Sequence, residues 1–367
     1  MEIEGPRPPR LDERDDLIRI LNYVMREEVG HAPTFHLDWP HVIDPANLPN
    51  LRVIKSDGKI VSSTGIWPHS TLIGDVRLVI GGINGVCTDP AYRRNRFATT
   101  ILHSIIARLT ELGSHVSLLS TGVPSWYRKL GWEHGGTKRS YRFDRGNRHL
   151  VPADAAVRVR LAHDADFQTL AALHNGRRFG AQRTAEHMRV SFGRHGRSTW
   201  VAERRGRVEG YVWGAVEDLR EYGGLPEAVL PMLRQLYDDA DDPAVKTSTQ
   251  TVDERQARKP PTLHAAFAAP DYPDPVTRAL DEIGILHARS YLDMIRLDDP
   301  AGLVAAYAAT GLRATDYGDT IAFECGTERI RLSRTDSVKL LFGPERPAPF
   351  ARDVLPLTFH EWSADMA

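Results

Sequence analysis

Cysteine is nearly missing from this chain: there are two, Cys87 and Cys325, in 367 residues. Both fall in apolar, strand-like runs without metal-ligand or redox spacing, which excludes a disulfide framework and predicts buried thiols in a reducing compartment. Net charge is missing too. Lys and Arg number 47 against 48 Asp and Glu, a formal charge of −1, so no global basic field recommends nucleic acid or an anionic membrane as a partner. No stretch approaches the roughly 18 apolar residues of a membrane span, and Met1 to Asp16 carries charge and proline where a secretory leader needs an apolar core. A cytoplasmic protein with no membrane partner is expected. Histidine supplies no ligand set, because Pro33 and Pro40 interrupt His31, His36 and His41 and the three cannot share a helical face. No metal is expected. The acidic run 238–242 reads as an exposed turn. A chain this long, 41% hydrophobic and 26% charged, has the composition of a globular protein of two or three domains.

What the chain does contain is a dense motif between residues 82 and 132. A strand-like run through Gly85, Val86, Cys87 and Thr88 breaks at Pro90, passes Arg93-Arg94-Asn95-Arg96, and enters a stretch with Ala98, Ile101, Leu102, Ile105, Ile106 and Leu109 at helical spacing. Strand, arginine-rich turn and helix start together suit a pyrophosphate, because helix N-terminal N–H groups, the helix dipole and guanidinium groups all favour an anion. Arg93, Arg94 and Arg96 are the residues expected to hold it. A solvated surface turn is the plain alternative for the loop alone.

This segment resembles the coenzyme A-binding core of the GNAT superfamily of N-acetyltransferases, whose loop signature is Gln/Arg-x-x-Gly-x-Gly/Ala. Arg93 and Ala98 match its ends, and Arg96 replaces its middle glycine. A side chain there either crowds the ligand or adds a phosphate contact. The flanks carry the resemblance further: Pro90 and Tyr92, the amphipathic helix, the apolar run Val116 to Ser120, and Tyr127, Gly131 and Trp132 in a Tyr-x-x-x-Gly-aromatic pattern. The resemblance implies that Val86, Cys87, Thr88, Arg93, Arg94, Arg96, Phe97, Ala98, Thr99 and Ser120 bind acetyl-CoA, or another acyl-CoA, as co-substrate.

Upstream, Leu17, Ile20, Leu21 and Val24 form a helical stripe, and Asp57-Gly58 and Gly74-Asp75 mark hairpin turns leading into the cofactor strand. From about residue 151 the order begins again. Val157 to Arg160 reads as a strand, Phe167, Leu170, Leu173 and His174 as a helix face, and 200–203 with 209–213 as a hairpin, while 177–182 reads as a surface turn. From 291 the character changes once more: a strand at 291–297, a helix at 301–309, strands or helix starts at 320–324, 329–332 and 339–342, and a last helix or strand over 359–367. The chain as a whole resembles the three-part enhanced-intracellular-survival type of acetyltransferase. That resemblance implies an α/β (α+β) protein with tandem acetyltransferase-like mixed sheets flanked by helices: a catalytic domain at 1–150, a degenerate copy at 151–290, and a small sterol-carrier-like domain at 291–367. It also implies a homo-oligomer.

Acetyl transfer from a thioester needs a neutral amine, a polarised carbonyl and a protonated leaving group. An alkyl amine with a pKa near ~10.4 is protonated at neutral pH, so a base must act. Backbone N–H groups about Val86 to Thr88 are suited to polarise the carbonyl. The resemblance makes Tyr127 the acid for the departing thiolate, against a plain packing role beside Trp126 and Trp132. It makes the carboxylate of Ala367 the base, with His360, Glu361 and Glu28 as competitors. Glu28, Asp38, Trp39 and Trp67 are expected to bind a small-molecule amine, and their acidity suggests a cationic acceptor such as an aminoglycoside. A silent binding protein that keeps the fold is the alternative from another class.

Overall fold

The computed structural model describes residues 2–241, 265–272, 274–362, 364 and 365. The first unit begins with β1 (Ile3–Arg7), α1 (Arg14–Met25) and α2 (Phe35–Asp38). Asp15 and Asp16 sit in the first turn of α1, where the helix dipole favours them, and Leu17, Ile20 and Leu21 form its buried stripe. The meander β2 (Leu51–Ser56), β3 (Lys59–Ile73) and β4 (Val76–Thr88) follows. Asp57 and Gly58 both have positive φ, 47° and 82°, the conformation a two-residue hairpin requires and the reason that dipeptide was legible as a turn. Then come α3 (Phe97–Glu111), β5 (Val116–Leu119), α4 (Pro124–Arg128) and β6 (Glu133–Phe143).

The second unit contains β7 (Val157–Leu161), α5 (Phe167–Gly176), β8 (Phe179–Ala181), α6 (Ala185–Phe192), β9 (Ser198–Arg204), β10 (Arg207–Ala215), β11 (Asp218–Gly224), α7 (Pro226–Asp241), β12 (Ala265–Pro270), α8 (Pro275–Glu282) and β13 (His287–Leu297). The segment 177–182, expected as a surface turn, instead carries the buried strand β8, which pairs with β3 through Thr71 and Ala181. Its signal was masked because three residues are too few to show a period.

One large mixed sheet joins the two units in the order β1-β2-β3-β4-β5-β13-β6-β12-β11-β10-β9-β7. The succession β4-α3-β5-α4-β6 recurs as β11-α7-β12-α8-β13, and the two closing strands are exchanged: β13 pairs with β5, and β6 pairs with β12. A strand that begins the third segment in sequence thus lies at the centre of the main sheet.

The remainder packs on this sheet. It comprises α9 (Pro300–Ala306), a separate three-stranded sheet of β14 (Leu312–Asp316), β15 (Thr320–Cys325) and β16 (Glu328–Ser333), and α10 (Arg334–Phe342). Leu303, Phe323, Val338 and Leu341 share a core with Ile80 of β4, Leu118 of β5 and Ile295 of β13. The tail forms neither helix nor strand in its described residues. Phe359, His360, Glu361 and Trp362 are all buried in succession, so the segment is enclosed on every side and shows no face periodicity.

Candidate active site

The side of the site expected to take the coenzyme is shaped by how β4 is paired. Along β3 its register runs to Thr88, with a shift near Gly85, whose φ of 63° marks a bulge. Toward β5 it is paired only from Ile80 to Gly82, against Val116 to Leu118. Beyond Gly82 the two parallel strands part, and the backbone of Val86, Cys87 and Thr88 has no strand on that side. Ser62 Oγ donates to the Cys87 carbonyl at 2.8 Å and Ser63 Oγ to that of Gly85 at 3.1 Å, holding the bulged stretch from the β3 side. Burial raises the Cys87 thiol to about 11, so it stays protonated.

The arginine loop then turns into α3. Arg94 and Arg96 both adopt left-handed backbone, φ 71° and 60°, and Arg96 caps the helix without a side-chain cap bond. This explains the glycine of the family signature, since that conformation costs any other residue free energy. The Arg96 side chain is exposed. Phe97, Ala98 and Thr99 form the first turn, whose N–H groups lack intrahelical partners. Arg93 donates to Glu28 at 2.5 Å and to the Thr88 carbonyl at 3.4 Å, tying the loop to the segment after α1.

Tyr127 is 5% exposed on α4, its ring 4.7 Å from Trp126 and 6.1 Å from Trp132. Burial pushes its hydroxyl up to about 12, so it is a protonated donor at neutral pH. The ring shares a cluster with Leu119 and Met294, which face each other across β5 and β13. Successive strand residues point to opposite faces. Asp293, the residue before Met294 on β13, therefore faces away from Tyr127, and Ser120, just past the end of β5, lines the same cavity as Asp293.

On that opposite face lies a cavity of about 430 Å³. Arg26, Asp38 and Trp39 line it from the first unit, Ser120, Lys138 and Asp293 from the sheet, and Arg194, Arg197 and Arg220 from the second unit. Ser120 also lines the crevice between β4 and β5, together with His69, Gly82, Glu361 and Asp365. Asp293 is hydrogen-bonded to Ser120, and burial raises its carboxyl to about 7 against the pull of Lys138. Sequence reading missed Asp293, because only the exchange of β13 brings it beside Ser120. An aspartate set between Leu292 and Met294 in a strand run was its one signal.

The acidic residues expected to select a cation are already paired. Asp38 accepts from Arg26 Nη2 at 2.8 Å and from Thr34 at 2.9 Å, while Trp39 lies under the guanidinium groups of Arg26 and Arg194. Glu28, in the turn after α1, is ion-paired to Arg93 of the arginine loop. Trp67 packs against His41 and His187, with ring centroids 4.7 Å and 5.5 Å away, rather than on the cavity wall. Among the other bases considered, Glu361 is committed to Thr71 and to His69. His360, driven down to about 3 by burial, stacks near Phe179 and Trp362. Ala367 lies outside the described residues. Among those residues no group of His, Cys, Asp and Glu is arranged to hold a metal.

A buried ion network stands behind the cavity. Arg183 donates to both carboxylate oxygens of Glu221, at 2.8 and 2.9 Å, and to those of Asp365 at 2.6 Å. Burial pushes both carboxyls up, but the Arg183 guanidinium prevails and holds them below their ordinary range.

Residues 6–135 match the acetyltransferase (GNAT) domain family model. No curated relative matches the sequence. Among solved structures, the chain is similar to a GCN5-related N-acetyltransferase from Anabaena variabilis, with TM-score 0.60 and 14% identity over 90% of this chain and 85% of that one. It is similar to another from Kribbella flavida, with TM-score 0.57 and 16% identity over 90% and 84%. Eis1 from Mycobacterium abscessus aligns with TM-score 0.55 and 14% identity over the same shares. Residues 6–135, the stretch that holds the parted strands, the arginine loop and Tyr127, thus match a GNAT acetyltransferase domain, set in a chain that shares the fold of these solved structures over most of its length.

Proposed function

We propose that the protein transfers an acetyl group directly from acetyl-CoA to the primary amine of a small molecule. The GNAT domain makes acyl transfer from an acyl-CoA to an amine the class of reaction. The observation that carries the finer reading is Ser120, which borders both a narrow crevice of about 10 Å³ where β4 and β5 part, taken here as the coenzyme's, and the acceptor cavity, with Tyr127 on one face of the sheet and Asp293 on the other. In this reading the arginine loop and the first turn of α3 hold the pyrophosphate, and the N–H groups of 86–88 polarise the thioester carbonyl. The amine gives a proton to the Asp293 carboxylate as its nitrogen bonds to the acyl carbon. The carbon–sulfur bond then breaks, and Tyr127 protonates the leaving sulfur.

Charge in the cavity bears on the acceptor. Arg26 and Asp38 cancel, leaving Asp293 among Lys138, Arg194, Arg197 and Arg220. Asp218 offsets part of this charge through Arg197 and Arg220. Such a wall favours an amine that also carries a carboxylate or phosphate over the polycation that Glu28 and Asp38 suggested. A second reading of the base rests on the tail: Glu361 and Asp365 line the crevice, so the carboxylate of Ala367 is only two residues beyond. For the architecture, we propose two acetyltransferase-like units, with the second carried through β13, and a sterol-carrier-like segment after it.

Thiol release from acetyl-CoA, measured over a panel of amino acids, amino phosphates and aminoglycosides, tests donor, activity and acceptor charge together. Asp293→Asn is expected to lower kcat by about 10²–10⁴-fold and to erase a rise in kcat/KM near pH 7, where the wild-type carboxyl ionises. Retained turnover, together with loss on extending the chain past Ala367, moves the base to the terminus.

A further inference from the structure

The second unit contains a cavity of about 860 Å³ that the acyl-transfer reading does not use. It lies at the end of β11 and the starts of α7 and α8, against α5. By the strand exchange these elements correspond to β4, α3, α4 and α1, so the cavity is the second unit's counterpart of the region that surrounds the coenzyme crevice. Its loop is different. Where the first unit has three arginines before a helix with free N–H groups, this one has Gly224-Leu225-Pro226, and Pro226 brings no N–H to the first turn of α7. A pyrophosphate has no cradle there.

What the cavity has instead is an apolar wall with charge at its edges, Arg177 and Arg207 among Glu209, Glu227 and Asp274. Leu173, Val208 and Leu225 supply the aliphatic surface, and Tyr222 and Tyr272 the aromatic surface. Arg177 lies 4.6 Å from the Trp362 ring and 5.4 Å from that of Tyr222. Its Nη2 is 3.2 Å from His174 Nδ1, whose other ring nitrogen, Nε2, is 2.8 Å from the Ala181 carbonyl. Its Nε and Nη1 are buried without a hydrogen-bond partner among the described residues. Nearby carboxylates are engaged elsewhere: Glu221 accepts from Arg183 and Tyr211, Asp274 from Tyr222 and from the N–H groups of Val276 and Thr277, and Glu209 pairs with Arg204. Buried donors of a cation left without an acceptor are costly, and an anionic ligand is what satisfies them.

We infer that this cavity binds an amphipathic monocarboxylate, its chain against Leu173, Val208 and Leu225 and its carboxylate on Arg177. The volume suits a medium-chain acid. The open donors of Arg177, in a lining that also carries Glu209, Glu227 and Asp274, suit one negative charge, not the two of a phosphate monoester.

Calorimetric titration of the full chain with decanoate, decanol and decyl phosphate, in the presence of saturating coenzyme A, tests the site. Decanoate is expected to bind saturably, and decanol and decyl phosphate at least about tenfold more weakly. Arg177→Met should remove the preference for decanoate over decanol. Ala172→Trp, at an exposed position of α5 on the cavity rim, should weaken decanoate by about tenfold or more even if the arginine variant does not fold. Equal binding of decanol, tighter binding of decyl phosphate, displacement by coenzyme A, or unchanged affinity in Ala172→Trp would each overturn the inference.

Discussion

The two halves of the sheet use one order of elements and lend each other their last strand, yet among the described residues only the first carries an arginine loop ahead of its helix, the loop proposed to hold the coenzyme. At the end of β4 the chain leaves through left-handed Arg94 and Arg96 into an uncapped helix start; at the end of β11 it leaves through Gly224 and Pro226. Both strands part early from their parallel neighbours, since β11 pairs with β12 only at Asp218 and Leu219. In the second unit aromatic side chains occupy that region, with Tyr222 against Phe267 and Trp362. The scaffold therefore does not make the chemistry. In the proposed reading a handful of residues at the strand ends does, and the second unit uses the same positions for packing and ion pairing.

The sharpest way to break this contrast is to remove one hydroxyl. Tyr127→Phe should lower kcat by about 10²–10⁴-fold while the melting temperature barely moves, because the ring keeps its contacts with Trp126 and Trp132. Near-native turnover in a stable variant would reduce Tyr127 to packing.

In the second unit the largest effect should be on stability. Arg183→Met leaves Glu221 and Asp365 buried without their cation and is expected to cost about 3–5 kcal/mol in urea unfolding. The sign with pH is specific. In the wild type these carboxyls are held below their unfolded values, so their contribution is full above about pH 4 and is lost as pH falls through the folded values. In the variant they would rise above their unfolded values. Its deficit should then shrink on going from about pH 8 to pH 5, and a deficit that grows instead would mean that the carboxylates find another cation.

Two smaller effects probe the coenzyme loop. Arg93→Ala should weaken coenzyme A by about 1.5–3 kcal/mol, less whatever is recovered by releasing Arg93 from Glu28. Unchanged affinity by calorimetry removes this arginine from the pyrophosphate site. Arg96→Gly restores the family residue at φ 60°. Relief of about 1–2 kcal/mol of left-handed strain, against about 0.5–1 kcal/mol of extra chain entropy, predicts a stability gain of about 0.5 kcal/mol. A fall in melting temperature would show that the arginine side chain holds the loop.

Local physics was legible in the sequence. The hairpin at Asp57-Gly58, the stripe of Leu17, Ile20 and Leu21, and the strand-turn-helix around Arg93 to Ala98 each depend on neighbours within a few positions, and backbone conformation and periodicity betray them. Helix, turn and loop chemistry are encoded over such distances. Which face Asp293 would meet, that Asp38 would already be neutralised by Arg26, and that His360 and Glu361 would be enclosed depended on chain segments far apart in sequence. The sequence alone thus determined the elements whose pattern is local, though not the short β8 or the enclosed tail, and the arginine-loop motif. Only the tertiary structure decided the acceptor side, because strand exchange between units sets which charges meet, and pairing at long range leaves no period in the chain.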